Sequence, residues 1–362
     1  MFLHNLHLYN FKSYNSVNFS FTKGINCFVG NNGVGKTNVL DAIYYTCLTK
    51  SYFNSVDQQL IRHEQVSFKI ESHFKLTNQQ LQVKILLPKA QKKEVTVNDI
   101  KYDKISLHIG LLPVVMVAPD DNVLIYGGSE ERRRFIDTTL SQVDRKYLEA
   151  LQEYNKYLLQ RNALLKQFAE QQYFDTNLLL AYDTKLAPLN TYIFNTRRKF
   201  IEILTPVFDS IYKQLSNENE MVSLAYESSL TEKEAVLMLK ENIERDRIIK
   251  RTMDGIHRDD LVFNMNDEPI KKFGSQGQQK TFLFSLKLAQ AFYLENELNK
   301  SPLLLLDDIF DKLDLTRSSN LLAYLHTHYK GQIFITDTQR IRIEKHFGNE
   351  VDKVEIFEIG NV

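Results

Sequence analysis

The chain has 362 residues, of which 43% are hydrophobic and 25% charged, and this composition is typical of a globular protein long enough for two domains. Its 45 lysines and arginines equal its 45 aspartates and glutamates, which excludes a uniformly basic nucleic-acid coat and an acidic disordered tail. The two cysteines, Cys27 and Cys47, are too few for a disulfide framework or a zinc site of their own.

The start of the sequence and its hydropathy bear on where the protein resides. The first residues mix histidine and asparagine with apolar residues, unlike a signal peptide. No stretch approaches the roughly 18 uninterrupted apolar residues that a membrane span needs. We therefore expect a cytoplasmic protein that has no membrane partner.

Two kinds of strand pattern occur. Apolar and polar residues alternate in residues 17–21, 66–70 and 81–87, which predicts half-buried antiparallel strands. Residues 27–29 and 303–306 are nearly all apolar, which predicts parallel strands buried on both faces. The two ends of the chain therefore predict an α/β domain.

A glycine-rich loop follows the first of the buried strands. The loop and the next residue are Gly30, Asn31, Asn32, Gly33, Val34, Gly35, Lys36, Thr37 and Asn38. They match the pattern G-x-x-x-x-G-K-[ST] between a strand and an amphipathic helix, where backbone N–H groups cradle phosphates. In that pattern Lys36 reaches the β- and γ-phosphates, and Thr37 offers its hydroxyl to Mg²⁺. The sequence therefore predicts a nucleotide site.

The middle of the chain has the character of a helical insertion. It contains no glycine between Ser129 and Asp254. Apolar residues recur there at steps of three and four, in the sets Tyr147, Leu151, Tyr154, Leu158 and Leu179, Tyr182, Leu186, Leu189, Ile193. Pro188 is expected to kink or break the second helix. We predict an all-helical arm over residues 121–251, inserted between two halves of the α/β head, residues 1–120 and 252–362.

Two late segments complete the candidate site. Ser275, Gln276, Gly277 and Gln278 open a helix, where a hydroxyl and a glycine form an anion site. The apolar strand at 303–306 ends in Asp307 and Asp308. Asp307 would hold Mg²⁺ directly or through water, and Asp308 would polarise the attacking water. Lys36, Asp307 and Asp308 are thus the candidate catalytic residues, and Thr37 and Asp307 the candidate metal ligands.

These segments, with Leu313 and Asp314 after them, together resemble an ATP-binding-cassette head. In such heads the phosphate loop of one copy and the signature loop of another hold the same ATP. The resemblance implies ATP as the nucleotide and an ATP-dependent homodimer with a two-fold interface. It makes residues 275–278 the signature that contacts ATP in trans, and Asp314 the D-loop residue. Transport cassettes carry a histidine after the last core strand; residues 336–338 here are Thr, Asp and Thr, so the γ-phosphate switch is one of these or is missing.

More specific motifs extend over nearly the whole chain. They are residues 30–38, Asp120 with 132–137 (Arg-Arg-Arg-Phe-Ile-Asp), 160–165, 255–260 (Gly-Ile-His-Arg-Asp-Asp), 275–279 and 306–314. With these motifs the sequence resembles the RecF family, cassette-type ATPases of bacterial recombinational repair related to SMC heads. The resemblance implies an ABC/SMC-type P-loop ATPase head, with a mixed sheet and antiparallel N-terminal strands, in addition to the helical arm.

The resemblance also implies a function in DNA replication, DNA repair and the SOS response. A homodimer closed by ATP would bind double-stranded DNA near single-strand gaps and help RecR and RecO to load RecA. Slow, DNA-stimulated ATP hydrolysis would release it. Candidate DNA contacts are Arg132, Arg133, Arg197, Arg198 and Lys199, with a further basic cluster at 245–251. Each cluster is equally compatible with a solvated helix face.

Three alternatives remain open. The chain could be a nucleotide-gated DNA-binding scaffold with negligible hydrolysis, because Asp308 is shorter than the glutamate common in cassettes. It could also be the motor subunit of a transporter, which the arm and the RecF-like motifs disfavour. His257 and Arg258 could be taken for catalytic residues, but the absence of a nearby nucleophile favours hydrogen bonding at the entry to a strand.

Overall fold

The computed structural model of the chain describes residues 1–76, 79–216, 220–309, 315–348 and 354–360. The strands are β1 (Phe2–Phe11), β2 (Tyr14–Ser20), β3 (Ile25–Val29), β4 (Ser67–Lys75), β5 (Gln80–Pro88), β6 (Glu94–Val97), β7 (Ile100–Lys101), β8 (Val114–Val117), β9 (Val222–Glu227), β10 (Asp260–Met265), β11 (Glu268–Pro269), β12 (Leu303–Leu306), β13 (Ile333–Asp337) and β14 (Val354–Glu358). The helices are α1 (Lys36–Leu48), α2 (Val123–Tyr126), α3 (Ser129–Val143), α4 (Arg145–Gln171), α5 (Thr176–Ser216), α6 (Ala235–Glu241), α7 (Ile243–Ile249), α8 (Ile270–Phe273), α9 (Gln276–Leu298), α10 (Leu315–His328) and α11 (Arg340–Phe347).

The chain divides into two units. The first unit comprises Met1–Asp121, Ser210–Glu218 and Gln276–Val362, and the second comprises Asn122–Asp209 and Asn219–Ser275. The predicted boundary at residue 251 differs from this division. The second unit extends to Ser275 because β10 pairs along its whole length with β9, which lies in the same unit.

The first unit contains the two kinds of strand that the sequence predicts, in two sheets. The antiparallel strands form one sheet in the order β2-β1-β4-β5-β6-β7, and the parallel strands form the other in the order β14-β3-β13-β12-β8. Both buried runs lie in the second of these sheets, as β3 and β12. The α/β cassette-type fold is therefore confirmed, with the antiparallel strands in a sheet of their own.

Helix α1 lies between residues of both sheets in the core of the first unit. Eleven of its residues are buried, so it lacks the exposed polar face of a surface helix. Its apolar residues share one core cluster with Leu6 of β1, Phe68 of β4, Met116 of β8 and Leu305 of β12. This packing on both sides holds the N-terminus of α1, and the phosphate loop before it, in place.

The second unit is helical in its long elements but is not all helical, and that part of the prediction is wrong. Strands β11, β10 and β9 form a three-stranded antiparallel sheet in it. β9 falls inside the predicted arm and alternates apolar and polar residues, as in Val222, Leu224 and Tyr226. Because β10, the partner of β9, lies 33 residues further on, the pairing is not a local feature of the sequence.

The long helix α5 contains both prolines of the middle region, Pro188 and Pro206. Of the kink or break expected at Pro188, the break does not occur, since the helix continues on both sides of it. Among the described helices, none combines the length and the apolar character needed to cross a membrane.

Candidate functional site

The phosphate loop connects β3 to α1, and its backbone geometry depends on glycine. Gly35 has φ +104°, and a Cβ there would lie 2.8 Å from Ser13 Oγ, so a larger residue would be strained and would clash. Lys36 begins α1 and donates from Nζ to the carbonyl oxygens of Gly30 and Asn31, at 2.8 and 3.0 Å. The lysine is 4% exposed and its charge is held inside the loop.

The rest of the loop is presented to solvent and braced from β1 and β2. Its crest consists of the exposed residues Asn31, Asn32 and Gly33, whereas Val34 is buried. Asn38 donates from Nδ2 to Ser13 Oγ at 2.9 Å, and Tyr14 donates from its hydroxyl to the Gly35 carbonyl at 3.1 Å. The turn between the first two strands therefore supports the loop from the side of the antiparallel sheet.

The order of the parallel sheet brings the phosphate loop to the paired acids. β13 lies between β3 and β12, so the carboxyl ends of these three strands are adjacent at one edge. There Thr37 donates from Oγ1 to Asp307 Oδ1 and Oδ2, at 3.0 and 3.1 Å, across 270 residues of sequence. Thr336, at the end of β13, donates from Oγ1 to Asp307 Oδ1 at 2.7 Å.

The Asp307 carboxyl has an unusual electrostatic environment. Its side chain is 4% exposed, and burial raises its pKa to about 6, with the neighbouring charge of Asp308 adding to the rise. The hydrogen bonds from Thr336 and Thr37, and the charge of Lys36, oppose that rise. A divalent cation would favour the charged form further, because it supplies an opposite charge at the same edge.

Asp308 is held in a conformation that few non-glycine residues adopt. Its φ is +44°, in the left-handed region, which costs roughly 1 kcal/mol for an L-residue. Its backbone N–H donates to Thr336 Oγ1 at 2.8 Å. The Thr336 hydroxyl thus binds both acids, by accepting from the backbone of Asp308 and donating to the side chain of Asp307.

The signature residues lie at the start of α9. Gln276 is the first residue of that helix, and Ser275 and Gly274 precede it. A Cβ on Gly277 would lie 1.7 Å from Nη1 of Arg317 in α10, so glycine is needed for the guanidinium to lie this close. The D-loop prediction, Asp314 with Leu313, lies outside the described residues.

The structure contradicts the assignment of Arg197 to a DNA surface. Its side chain is 1% exposed and pairs with Asp137 at 2.9 Å and Asp259 at 3.0 Å. It also donates to the carbonyl of Ile256 and to the hydroxyl of Tyr147. These partners hold the pKa of Arg197 well above its ordinary value against the effect of burial, so the guanidinium is a charged group inside the second unit.

Arg132 and Arg133 also make contacts within the second unit. Arg132 donates to both carboxylate oxygens of Asp260, at 2.6 and 2.9 Å, and to the carbonyls of Leu124 and Gly127. Arg133 donates to Ser129 Oγ and to the Asp259 carbonyl. Arg132 therefore has its donors occupied in joining α2 and α3 to β10, which argues against a contact with DNA.

Arg198 and Lys199 are exposed, and their assignment to DNA stays a prediction. Arg198 lies over the ring of Phe194 at 5.3 Å and is 3.8 Å from Glu202. His257 has a structural environment: Tyr154 lies 2.7 Å from its Nδ1, and the Thr252 carbonyl lies 3.1 Å from its Nε2. With Nε2 donating to the carbonyl, Nδ1 accepts from the tyrosine hydroxyl.

The donor set at the edge of the sheet fits a magnesium nucleotide. Thr37 and Asp307 offer a hydroxyl and a carboxylate, the hard oxygen ligands that Mg²⁺ prefers, already within hydrogen-bonding distance of each other. Lys36 and the N-terminus of α1 supply positive charge and N–H donors for phosphates. The chain therefore has residues of the right type to bind both parts of such a ligand.

Sequence reasoning left one residue of this site undecided and missed another. Thr336 is one of three candidates, residues 336–338, for the γ-phosphate switch. Its position directly after an apolar run is the signal that could have singled it out. Arg317 had no signal, because a charged residue near the start of a helix is ordinary. Its proximity to Gly277 follows from the packing of α10 against α9.

A family model and curated proteins match nearly the whole length of the chain. The model of the RecF/RecN/SMC N terminal domain matches residues 2–357. The chain is 45% identical to the DNA replication and repair protein RecF of Flavobacterium johnsoniae over 344 residues, covering 95% of this chain and 96% of that protein. It is 41% identical to the protein of the same name from Cytophaga hutchinsonii over 357 residues, covering 99% and 94%.

Solved structures agree with the sequence relatives. The recombination mediator protein RecF bound to ATP in the RecFOR pathway superposes with a TM-score of 0.87 at 27% identity, covering 94% of this chain and 92% of that one. The Smc head domain of Pyrococcus furiosus superposes with a TM-score of 0.58 at 17% identity, covering 99% and 94%, and shows the shared head fold. The chain belongs to the RecF family.

Proposed function

We propose that this chain is an ATP-dependent DNA-binding repair protein that acts as a switch. A homodimer closes on duplex DNA near a single-strand gap when ATP and Mg²⁺ bind, and slow hydrolysis reopens it. The observation that carries the proposal is the joining of Thr37 and Asp307 across 270 residues, in a member of the RecF family. Removing the γ-phosphate would remove the bridge between the phosphate loop of one copy and the signature of the other. The dimer would therefore be reversible.

Each residue of the site has a role that follows from its position. Lys36 would neutralise the β- and γ-phosphates, and the backbone of residues 30–35 would bind their oxygens. Thr37 and Asp307 would hold Mg²⁺, and the bound ion would stabilise the negative charge of the phosphates. Asp308 would orient and polarise the attacking water, and the signature of the second copy, Ser275 to Gln278, would complete the site.

The relatives support a proposal for the pathway. The solved relative is a recombination mediator of the RecFOR pathway, and the sequence relatives are replication and repair proteins. We propose RecR and RecO as partners of this chain, the loading of RecA as the outcome, and the cytoplasm as the location. The ATPase activity would be weak and stimulated by DNA.

Sedimentation of the purified chain tests the switch. Samples with no ligand, ATP and Mg²⁺, and ATP and Mg²⁺ with a gapped duplex are compared with the same samples of Lys36→Met. We expect the wild-type chain to sediment as a dimer with ATP and as a DNA-bound dimer with both. Lys36→Met, which lacks the phosphate-binding charge, should stay monomeric. A wild-type chain that stays monomeric with ATP contradicts the proposal.

The alternative is a nucleotide-gated scaffold with negligible hydrolysis. The short side chain of Asp308 and its contact with Thr336 are the features that favour this alternative. Asp308→Asn separates the two, because it should trap a long-lived DNA-bound dimer only where hydrolysis normally releases it. If the DNA dissociation rate is the same in Asp308→Asn and wild type, the scaffold is favoured.

A further inference from the structure

An irregular loop, residues 250–259, connects α7 to β10 in the second unit. It contains no helix or strand, yet its inward residues, Thr252, Ile256 and Asp259, are at most 3% exposed. A loop usually runs over the surface with its backbone bonded to water. In this loop the backbone is bonded to side chains of the long helices α4 and α5 and of α7.

Helix α4 anchors the first half of the loop. Asn162 accepts from the backbone N–H of Thr252 at 2.7 Å and from its hydroxyl at 2.8 Å. Arg161, fully buried and paired with Asp183 and Asp246, donates to the same hydroxyl at 2.8 Å. Asp246 in turn accepts from the backbone N–H of Met253 at 2.9 Å.

Helix α5 anchors the second half. Asn190 accepts from the backbone N–H of Ile256 at 3.0 Å, and Arg197 donates to the carbonyl of the same residue at 2.7 Å. Arg197 also pairs with Asp259 at 3.0 Å. Both ends of the loop are therefore tied to charged groups that the fold has buried.

Such a network is a poor explanation for stability alone. Burying two arginines with their carboxylates costs desolvation that the ion pairs scarcely recover, and an apolar core of similar volume is often as stable. The network does hold an irregular backbone in one conformation.

The most exposed side chains of the loop are cations, and one of its acids, Asp254, is partly exposed beside Arg245. Lys250, Arg251 and Arg258 are exposed, and none of them lies within 4.0 Å of a carboxylate in the described part of the chain. Exposed surface cations elsewhere in the unit are often paired, as Arg247 is with Glu244 at 2.8 Å. The loop thus carries three positive charges that no described carboxylate neutralises.

Two guanidinium groups lie beside neighbouring residues of this loop. The guanidinium of Arg258 contacts Met253 Sδ at 4.0 Å, and that of Arg245 in α7 lies 3.9 Å from Asp254. Lys250 and Arg251 lie in the same loop, three and two residues before Met253. Met253 and Asp254 therefore each have a guanidinium beside them, and two further cations come shortly before them in the loop.

We infer that this cluster, Lys250, Arg251 and Arg258 with Arg245 beside them, binds the phosphate backbone of duplex DNA. Cations held on a rigid loop lose little conformational freedom on binding, and repeated phosphates are the ligand that matches several adjacent charges. Contacts to phosphates supply affinity without sequence preference. This assignment rests on the proposed binding of duplex DNA, and it replaces Arg132 and Arg197 as contacts.

Charge removal with a matched control tests the assignment. The test variant is Lys250→Ala with Arg251→Ala and Arg258→Ala. The control variant is Lys156→Ala with Lys166→Ala and Lys185→Ala, which removes three exposed charges from α4 and α5 of the same unit. Fluorescence anisotropy of a labelled duplex is measured with ATP and Mg²⁺ at several salt concentrations, and ATP-dependent dimerisation is measured in parallel.

We expect the test variant to bind DNA at least about tenfold more weakly near 0.15 M salt, with a salt slope smaller by about 3 and dimerisation unchanged. The control should bind DNA as the wild type does. Equal affinity of test variant and wild type, or equal losses in both variants, overturns this site while leaving the proposed function intact. A wild-type chain that dimerises with ATP but binds no duplex overturns the DNA-binding function itself.

Discussion

The hydroxyl of Thr336 donates a hydrogen bond to Asp307 Oδ1 at 2.7 Å and accepts one from the backbone N–H of Asp308 at 2.8 Å. A threonine at the end of β13 therefore holds both acids at the end of β12. β13 itself lies between β3, which leads into the phosphate loop, and β12, which ends in the acids. Thr336 is thus a positioning residue for the two carboxylates.

Thr336→Val removes the hydroxyl and keeps the shape of the side chain. It leaves the Asp308 N–H without its acceptor, so the carboxylate that we propose polarises water loses its support. We expect ATP binding within about threefold of wild type and hydrolysis at least about tenfold slower, with Thr336→Ser restoring it. Equilibrium nucleotide binding and single-turnover hydrolysis measure the two effects. Equal losses of binding and hydrolysis, with no rescue by serine, would indicate a structural role instead.

Gly277→Ala tests the signature loop. The added methyl group displaces the tip of Arg317, which is flexible, so the free energy of unfolding should change by less than about 1 kcal/mol. The ATP-dependent dimer should weaken at least about tenfold, because the methyl group occupies the surface proposed to face the nucleotide of the partner. Gly128→Ala is the control, since a Cβ there meets nothing within 4 Å. Sedimentation with ATP measures both variants, and an unchanged dimer in Gly277→Ala would contradict the prediction.

Arg197→Met should destabilise the second unit strongly. It leaves the buried carboxylate of Asp259 and the half-buried carboxylate of Asp137 without their cation, which costs about 3–5 kcal/mol. Arg198→Ala, at the next and exposed position, should cost less than about 0.5 kcal/mol. Urea unfolding followed by circular dichroism compares the two variants. Similar stabilities would show that the buried network contributes little.

His257 makes the stability of the second unit depend on pH. Burial lowers its pKa to about 4, from the ordinary value near 6.5. Below pH 6.5 the His257 imidazole is protonated in the unfolded chain, whereas in the folded chain it stays neutral until about pH 4. The stability that neutral His257 contributes is therefore complete above pH 6.5 and is lost as the pH falls to about 4, by about 3 kcal/mol in total.

His257→Gln removes that titration. Between pH 7 and pH 4 the free energy of unfolding should fall by about 3 kcal/mol more in the wild type than in this variant. Denaturant titrations at the two pH values measure the difference. Parallel losses in wild type and variant would assign the acid sensitivity to the carboxylates instead.

Much of the fold and of the nucleotide site could be predicted because the signals are local. The phosphate loop needs its glycines, Lys36 and Thr37 within eight consecutive residues, and a strand buried on both faces has to be apolar throughout, as in Leu303–Leu306. Alternation in β4 and β5 likewise follows from one pleated strand at a time. Such patterns can be recognised in the sequence without knowing how the rest of the chain folds.

The positions of single side chains depended on tertiary packing. Arg197 and Arg198 are neighbours in a basic run, but successive residues of a helix point about 100° apart, and the packing around α5 decides which is buried. Residues 222–227 form β9 because β10 pairs with them. Thr336 lies beside Asp307 because β13 lies between β3 and β12 in the sheet. Contacts between residues distant in sequence have no local pattern, so the motifs identify the nucleotide chemistry, whereas the tertiary structure decides which cations lie at the surface.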